Sequence, residues 1–145
     1  MTHTEKAVNH FSKGFLCSQA VLAAFGDELS VTEEQALQLG ACFGSGMRKG
    51  EVCGACTGAL MVLGLKYGQT SVADGEARQN TNELTKRFLE LFREKNGSYL
   101  CNDLLGCDIS TPEGAAQARA KGLFCEFCPK MVASAVDVLE QVIEK

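Results

Sequence analysis

The chain has 145 residues, close to the common size of one domain, with 46% hydrophobic and 22% charged residues and a formal net charge of −4. That balance excludes a disordered or fibrous chain. With 14 Lys and Arg against 18 Asp and Glu there is no surplus of cations to neutralise phosphates, so no nucleic-acid partner is expected.

The opening Met1-Thr2-His3-Thr4-Glu5-Lys6 has no basic run leading into an apolar one, so no secretory signal is read and a cytoplasmic location is expected. Apolar residues then recur at helical spacing almost everywhere, which predicts an all-α, single-domain helical bundle over 1–145. The first helix is expected over Thr4 to Ser12, with His3 and His10 as surface residues, and a second from Leu16 to Leu29. Overlapping capping boxes at Ser30 to Glu33 and Thr32 to Gln35 open a third, running to Phe43. A glycine-rich loop, residues 44 to 50, leads into Cys53 to Tyr67, which is apolar on every side and therefore belongs at the centre of the bundle. Its uncharged stretch is shorter than the ~20 residues of a membrane helix, so no membrane insertion is expected. A long amphipathic helix follows from Asp74 to Lys95, closed by Asn96-Gly97. Next come a short one from Tyr99 to Leu105, another begun by Thr111-Pro112, and a last one opened by Pro129 with Cys128 as its N-cap.

Eight cysteines are many for a chain with no export signal, where structural disulfides are rare, so reactive or ligating thiols are expected. Cys17, Cys53, Cys101 and Cys128 each fall at the start of a predicted helix, where free N–H groups and the helix dipole favour thiolate, so lowered thiol pKa values are expected. Cys53-Gly54-Ala55-Cys56 places two sulfurs one turn apart, and Cys125-Glu126-Phe127-Cys128 repeats the spacing. The loop's G-x-G-x-x-x-G spacing, with no strand before it, does not fit a nucleotide cradle. Gly44, Gly46, Gly50 and Gly54 instead let backbone approach the thiols, and Arg48 or Lys49 is a candidate to stabilise a thiolate or bound anion.

These residues together resemble the C_GCAxxG_C_C family. The resemblance rests on Cys17-Ser18-Gln19-Ala20-Val21, on Cys53-Gly54-Ala55-Cys56-Thr57-Gly58-Ala59 with Leu63-Gly64-Leu65-Lys66-Tyr67-Gly68, on Cys101-Asn102-Asp103, and on Cys128-Pro129-Lys130, with Cys125 as the alternative fourth cysteine. The family label writes Gly before Cys, whereas here Cys53 precedes Gly54, and Cys42, Cys56, Cys107 and Cys125 are additional. The resemblance implies a bacterial or archaeal redox-active protein whose relatives accompany oxidoreductases and transporters.

Three functions remain open on the residues. In thiol–disulfide exchange or electron transfer, Cys53 attacks and Cys56, Cys17, Cys101 or Cys128 resolves; this needs no cofactor, and the partner is a redox protein or a small thiol or disulfide. In a metal module, Cys17, Cys53, Cys101 and Cys128 hold an iron–sulfur cluster or, as second choice, zinc. In a structural or interaction protein the cysteines simply pack as small apolar side chains.

Overall fold

The computed structural model describes residues 1–143, so the last two residues of the expected domain lie outside it. Among the described residues the chain is all helical, with a single antiparallel bridge, Val52 to Leu100, in place of any strand. Helix α1 spans His3–Ser12 and opens on a capping box: the Glu5 N–H donates to Thr2 Oγ (3.0 Å) and the Thr2 N–H to the Glu5 carboxylate (3.2 Å). Helix α2 spans Cys17–Phe25. The expected continuation to Leu29 tightens into a 3-10 turn, Gly26–Leu29, which the left-handed Ser30 (φ 58°) ends. Of the two overlapping boxes before α3 (Glu33–Gly40), only Thr32 with Gln35 forms, because left-handed Ser30 is turned out of a capping conformation.

Helix α4 spans Gly54–Tyr67 with Cys53 as its N-cap. Helix α5 spans Gly75–Asn96, begun by the Asp74 carboxylate, which accepts from the Ala77 N–H (3.1 Å), and closed by Gly97 at φ 93°. The short α6 (Cys101–Leu105) ends at left-handed Gly106, and α7 (Pro112–Ala120) follows the Thr111 cap with Pro at its first turn. A turn of helix not anticipated from sequence, α8 (Leu123–Glu126), precedes α9 (Cys128–Ile143). The Phe127 carbonyl accepts from the N–H of Lys130 (2.9 Å) and Met131 (3.4 Å). Phe127 therefore holds the cap position, and Cys128 is the first helical residue instead of the expected N-cap.

The expected central helix does sit at the centre: α4 packs on α2, α5 and α9, and α2 also touches α1 and α3. Leu22, Val62, Leu63, Phe88, Phe92 and Leu139 fill the space between them and are essentially inaccessible. Burying each contributes about 1.5–3 kcal/mol. Small residues bring α2 unusually close. A Cβ on Gly58 would stand 2.7 Å from the Ser18 carbonyl oxygen, and one on Gly40 would stand 2.9 Å from the Gln19 backbone. The Ser18 hydroxyl donates to the Gly40 carbonyl (2.6 Å), so the N-terminus of α2 is wedged between α3 and α4.

The histidines of α1 are anchors and not free surface residues. The His3 ring stacks on Phe25 at 3.9 Å and meets Glu28 (2.5 Å) and Glu140 (3.0 Å), while His10 faces Glu33 at 3.7 Å. These pairs tie α1 to the 3-10 turn, α9 and α3. No described helix is long and apolar enough to cross a membrane.

Candidate functional site

Where the ends of α1, α2, α4, α6, α8 and α9 converge, the bundle leaves a cavity of about 600 Å³. Five of the eight cysteines line it: Cys17, Cys53, Cys101, Cys125 and Cys128. The four sulfurs singled out by their helix-start positions thus face one space, and Cys125 joins them. Cys56 does not; it lies one turn behind Cys53, fully buried in the core. Cys42 is exposed and Cys107 is buried, and neither lines the cavity.

The close packing of α2 on α4 sets the central pair. Gly54 lines the cavity beside Cys17, and a Cβ there would overlap the Cys17 sulfur, so only glycine lets the two helix starts meet at this separation. In consequence the Cys53 thiol neighbours those of Cys17 and Cys56, close enough for each to bear on its ionisation. Backbone N–H groups point at the sulfurs as well, those of Ser45 and Ser18 at Cys17 and that of Ala55 at Cys53.

The expected lowering of the thiol pKa values is overturned. The Cys53 thiol beside it, with burial, pushes Cys17 well above the usual thiol range, against the pull of the Ser45 and Ser18 N–H groups. For Cys53 the Cys17 thiol pulls downward, but the Cys56 thiol and burial outweigh it and the net direction is up. Burial and the nearness of Cys17 push Cys101 up to about 12, and burial with the nearness of Cys17 and Cys125 pushes Cys128 up to about 12. The helix starts are present as expected. What outweighs their field is the neighbouring thiol, with burial, at Cys17 and Cys53, and at Cys101 and Cys128 chiefly desolvation in a cavity whose apolar wall includes Phe11, Phe15, Phe124, Phe127 and Met131 and, among the described residues, no charged side chain.

The glycine loop serves the site in a different way from the one expected. Ser45, Gly46, Met47 and Arg48 all have positive φ (54°, 59°, 58° and 63°), a left-handed turn in which three of the four residues carry a Cβ. Such conformations cost of order 1–3 kcal/mol each and persist only where packing enforces them. Here the turn carries the Ser45 N–H to the Cys17 sulfur. Gly44 packs under Leu16, Gly46 against the Glu51 backbone, and Gly50 (φ 70°) against the Asn102 amide, so these three shape the turn without touching the cavity. Arg48 reaches back to the Ser45 hydroxyl (3.5 Å) and lies outside the thiol cavity, as does Lys49.

Sequence reasoning missed Ser45, which no motif marks, and the aromatic wall. The latter had a signal, since Phe15, Phe124 and Phe127 stand within two residues of Cys17, Cys125 and Cys128. Among the described residues, no three His, Cys, Asp or Glu side chains gather closely enough to hold a metal ion.

A family model described as "Putative redox-active protein (C_GCAxxG_C_C)" matches residues 15–142, which include all eight cysteines. Comparison with curated proteins and with solved structures gives no match. With nearly the whole chain covered by that one model, the chain belongs to the C_GCAxxG_C_C family.

Proposed function

We propose that this protein is a thiol–disulfide redox carrier whose couple is Cys53 and Cys17. The observation that carries the reading is the placement of these two neighbouring thiols in the wall of one apolar cavity, with backbone N–H groups that favour thiolate at both sulfurs. Cys53 attacks one sulfur of a bound disulfide, and the leaving thiol departs with a proton. Cys17 then attacks the mixed disulfide at Cys53, closing a Cys17–Cys53 bond and releasing the second thiol. Two electrons and two protons leave the protein, and the substrate disulfide becomes two thiols. The reverse sequence returns the dithiol.

Cys17, not Cys56, is the resolving residue in this reading. Cys17 borders the cavity, where a mixed disulfide at Cys53 would form, whereas Cys56 is sealed in the core behind it. For Cys56 the packing role of a small apolar side chain is sufficient. Oxidation with a small disulfide followed by alkylation and mass-spectrometric mapping tests the assignment. A reversible Cys17–Cys53 link is expected, and two freely alkylated residues at these positions would remove it.

A four-thiolate iron–sulfur or zinc centre is the second reading, favoured by the fact that Cys17, Cys53, Cys101 and Cys128 border one cavity. Against it stand, among the described residues, the spacing of the sulfurs across that cavity and a wall without cations to balance four thiolates. Protein purified without oxygen decides between them: colour and iron support the cluster, and a folded, colourless, metal-free dithiol supports the carrier.

A further inference from the structure

Beside the thiol cavity lies a second compartment of different chemistry. Ser45 and Phe124 belong to the walls of both, and the second, of about 240 Å³, is completed by Arg48, Arg119, Ile109 and Ala115. Among the described residues no charged side chain borders the first compartment and no carboxylate borders the second. Arg48 and Arg119 come from the left-handed turn and from the end of α7, far apart in the chain, yet converge on this space. Neither is in an ion pair among the described residues of a molecule with net charge −4. Arg48 is turned toward the shared wall, where its Nη1 approaches the Ser45 hydroxyl at 3.5 Å. The result is an apolar, thiol-lined chamber with a pair of guanidinium groups in the compartment next door.

Resting on the redox reading above, we infer that the substrate is a small disulfide with an apolar, ring-sized body and a carboxylate: the body enters the thiol cavity and the carboxylate sits between Arg48 and Arg119. A volume of about 600 Å³ is within the range of small-molecule sites, and Phe11, Phe15, Phe124 and Phe127 offer ring surfaces to a planar body. The planar guanidinium fork suits a carboxylate. The chemistry is the exchange already described: the substrate's S–S bond breaks, a Cys17–Cys53 bond forms, and the two protein protons go to the two released carboxylate-bearing thiols. Ser45, which with Phe124 belongs to both walls, has an N–H that favours thiolate at Cys17 and a hydroxyl turned toward Arg48, so one residue bears on both compartments.

Two aromatic disulfides that differ in charge separate this inference from the reading beneath it. Dithiobis(nitrobenzoate) carries carboxylates, and dipyridyl disulfide is neutral at neutral pH. Their rates of reduction are measured by release of the coloured thiol, with the Cys17–Cys53 product verified by mass mapping, in the full-length chain and in the Arg48→Gln/Arg119→Gln double variant. The ratio of the nitrobenzoate rate to the pyridyl rate is expected to fall about tenfold in the variant, the loss of two exposed charge contacts. In the parent protein the same ratio is expected to fall as salt is raised. A ratio unchanged in the variant and insensitive to salt overturns the carboxylate subsite while leaving the redox couple standing. Failure of both reagents to form the Cys17–Cys53 bond overturns the redox reading and this inference with it.

Discussion

Gly54 and Gly58 do at the residue scale what the cysteines need. Each presents a bare Cα to α2, Gly54 to the Cys17 sulfur and Gly58 to the Ser18 carbonyl. Gly58→Ala forces a Cβ against backbone that cannot swing away, and a loss of about 1–3 kcal/mol is expected in urea denaturation. Gly54→Ala meets a side-chain sulfur instead, so it is expected to displace Cys17 and slow formation of the Cys17–Cys53 bond at smaller cost to stability. Cys56→Ala tests packing against chemistry: the removed sulfur leaves a small void, with a cost of about 1 kcal/mol, and the Cys17–Cys53 bond still forms. The helix-start positions of Cys17, Cys53, Cys101 and Cys128 were legible because capping and glycine signals are local. The direction of their pKa shifts was not, since it depends on tertiary packing, which sets the Cys53 thiol beside Cys17 and buries Cys101 and Cys128 in an apolar wall.

The element that most departs from sequence expectation is the turn from Ser45 to Arg48. Its glycines announced an irregular backbone, but nothing local specifies that Ser45, Met47 and Arg48 adopt left-handed conformations as well. Packing of the turn against Glu51 and α6 imposes them. Met47 is 38% exposed and outside the thiol cavity, so Met47→Gly relieves strain without touching the site. A gain of up to about 1 kcal/mol in urea denaturation is expected. Helix α8 escaped notice for a related reason: it is one turn long, begins at left-handed Gly122 without a side-chain cap, and exists because it packs on α9 and α7. Of the longer helices, α5 and α9 were readable from apolar spacing and end signals, and α4 from an unbroken apolar run behind the glycine loop.

Across the whole molecule, the buried thiols couple stability and potential to protonation. In the unfolded chain they ionise near pH 8.5 or so, whereas Cys101 and Cys128 in the fold hold their protons to about 12. The folded state therefore binds more protons between those values. Its stability is fully present below about pH 8.5 and declines as the pH rises toward 12, which denaturation at about pH 8 and about pH 10 would reveal. A neutral dithiol also gives the reduced state no stabilisation from a low-pKa thiolate, the feature that makes some thiol proteins strong oxidants. The Cys17–Cys53 couple is accordingly expected to lie on the reducing side, with a midpoint below about −230 mV. Redox titration of the parent protein beside Cys17→Ser, Cys53→Ser and Cys56→Ser tests this most directly. A two-electron couple retained in Cys56→Ser and lost in the other two is the expected result, and a couple that survives in Cys17→Ser would contradict it.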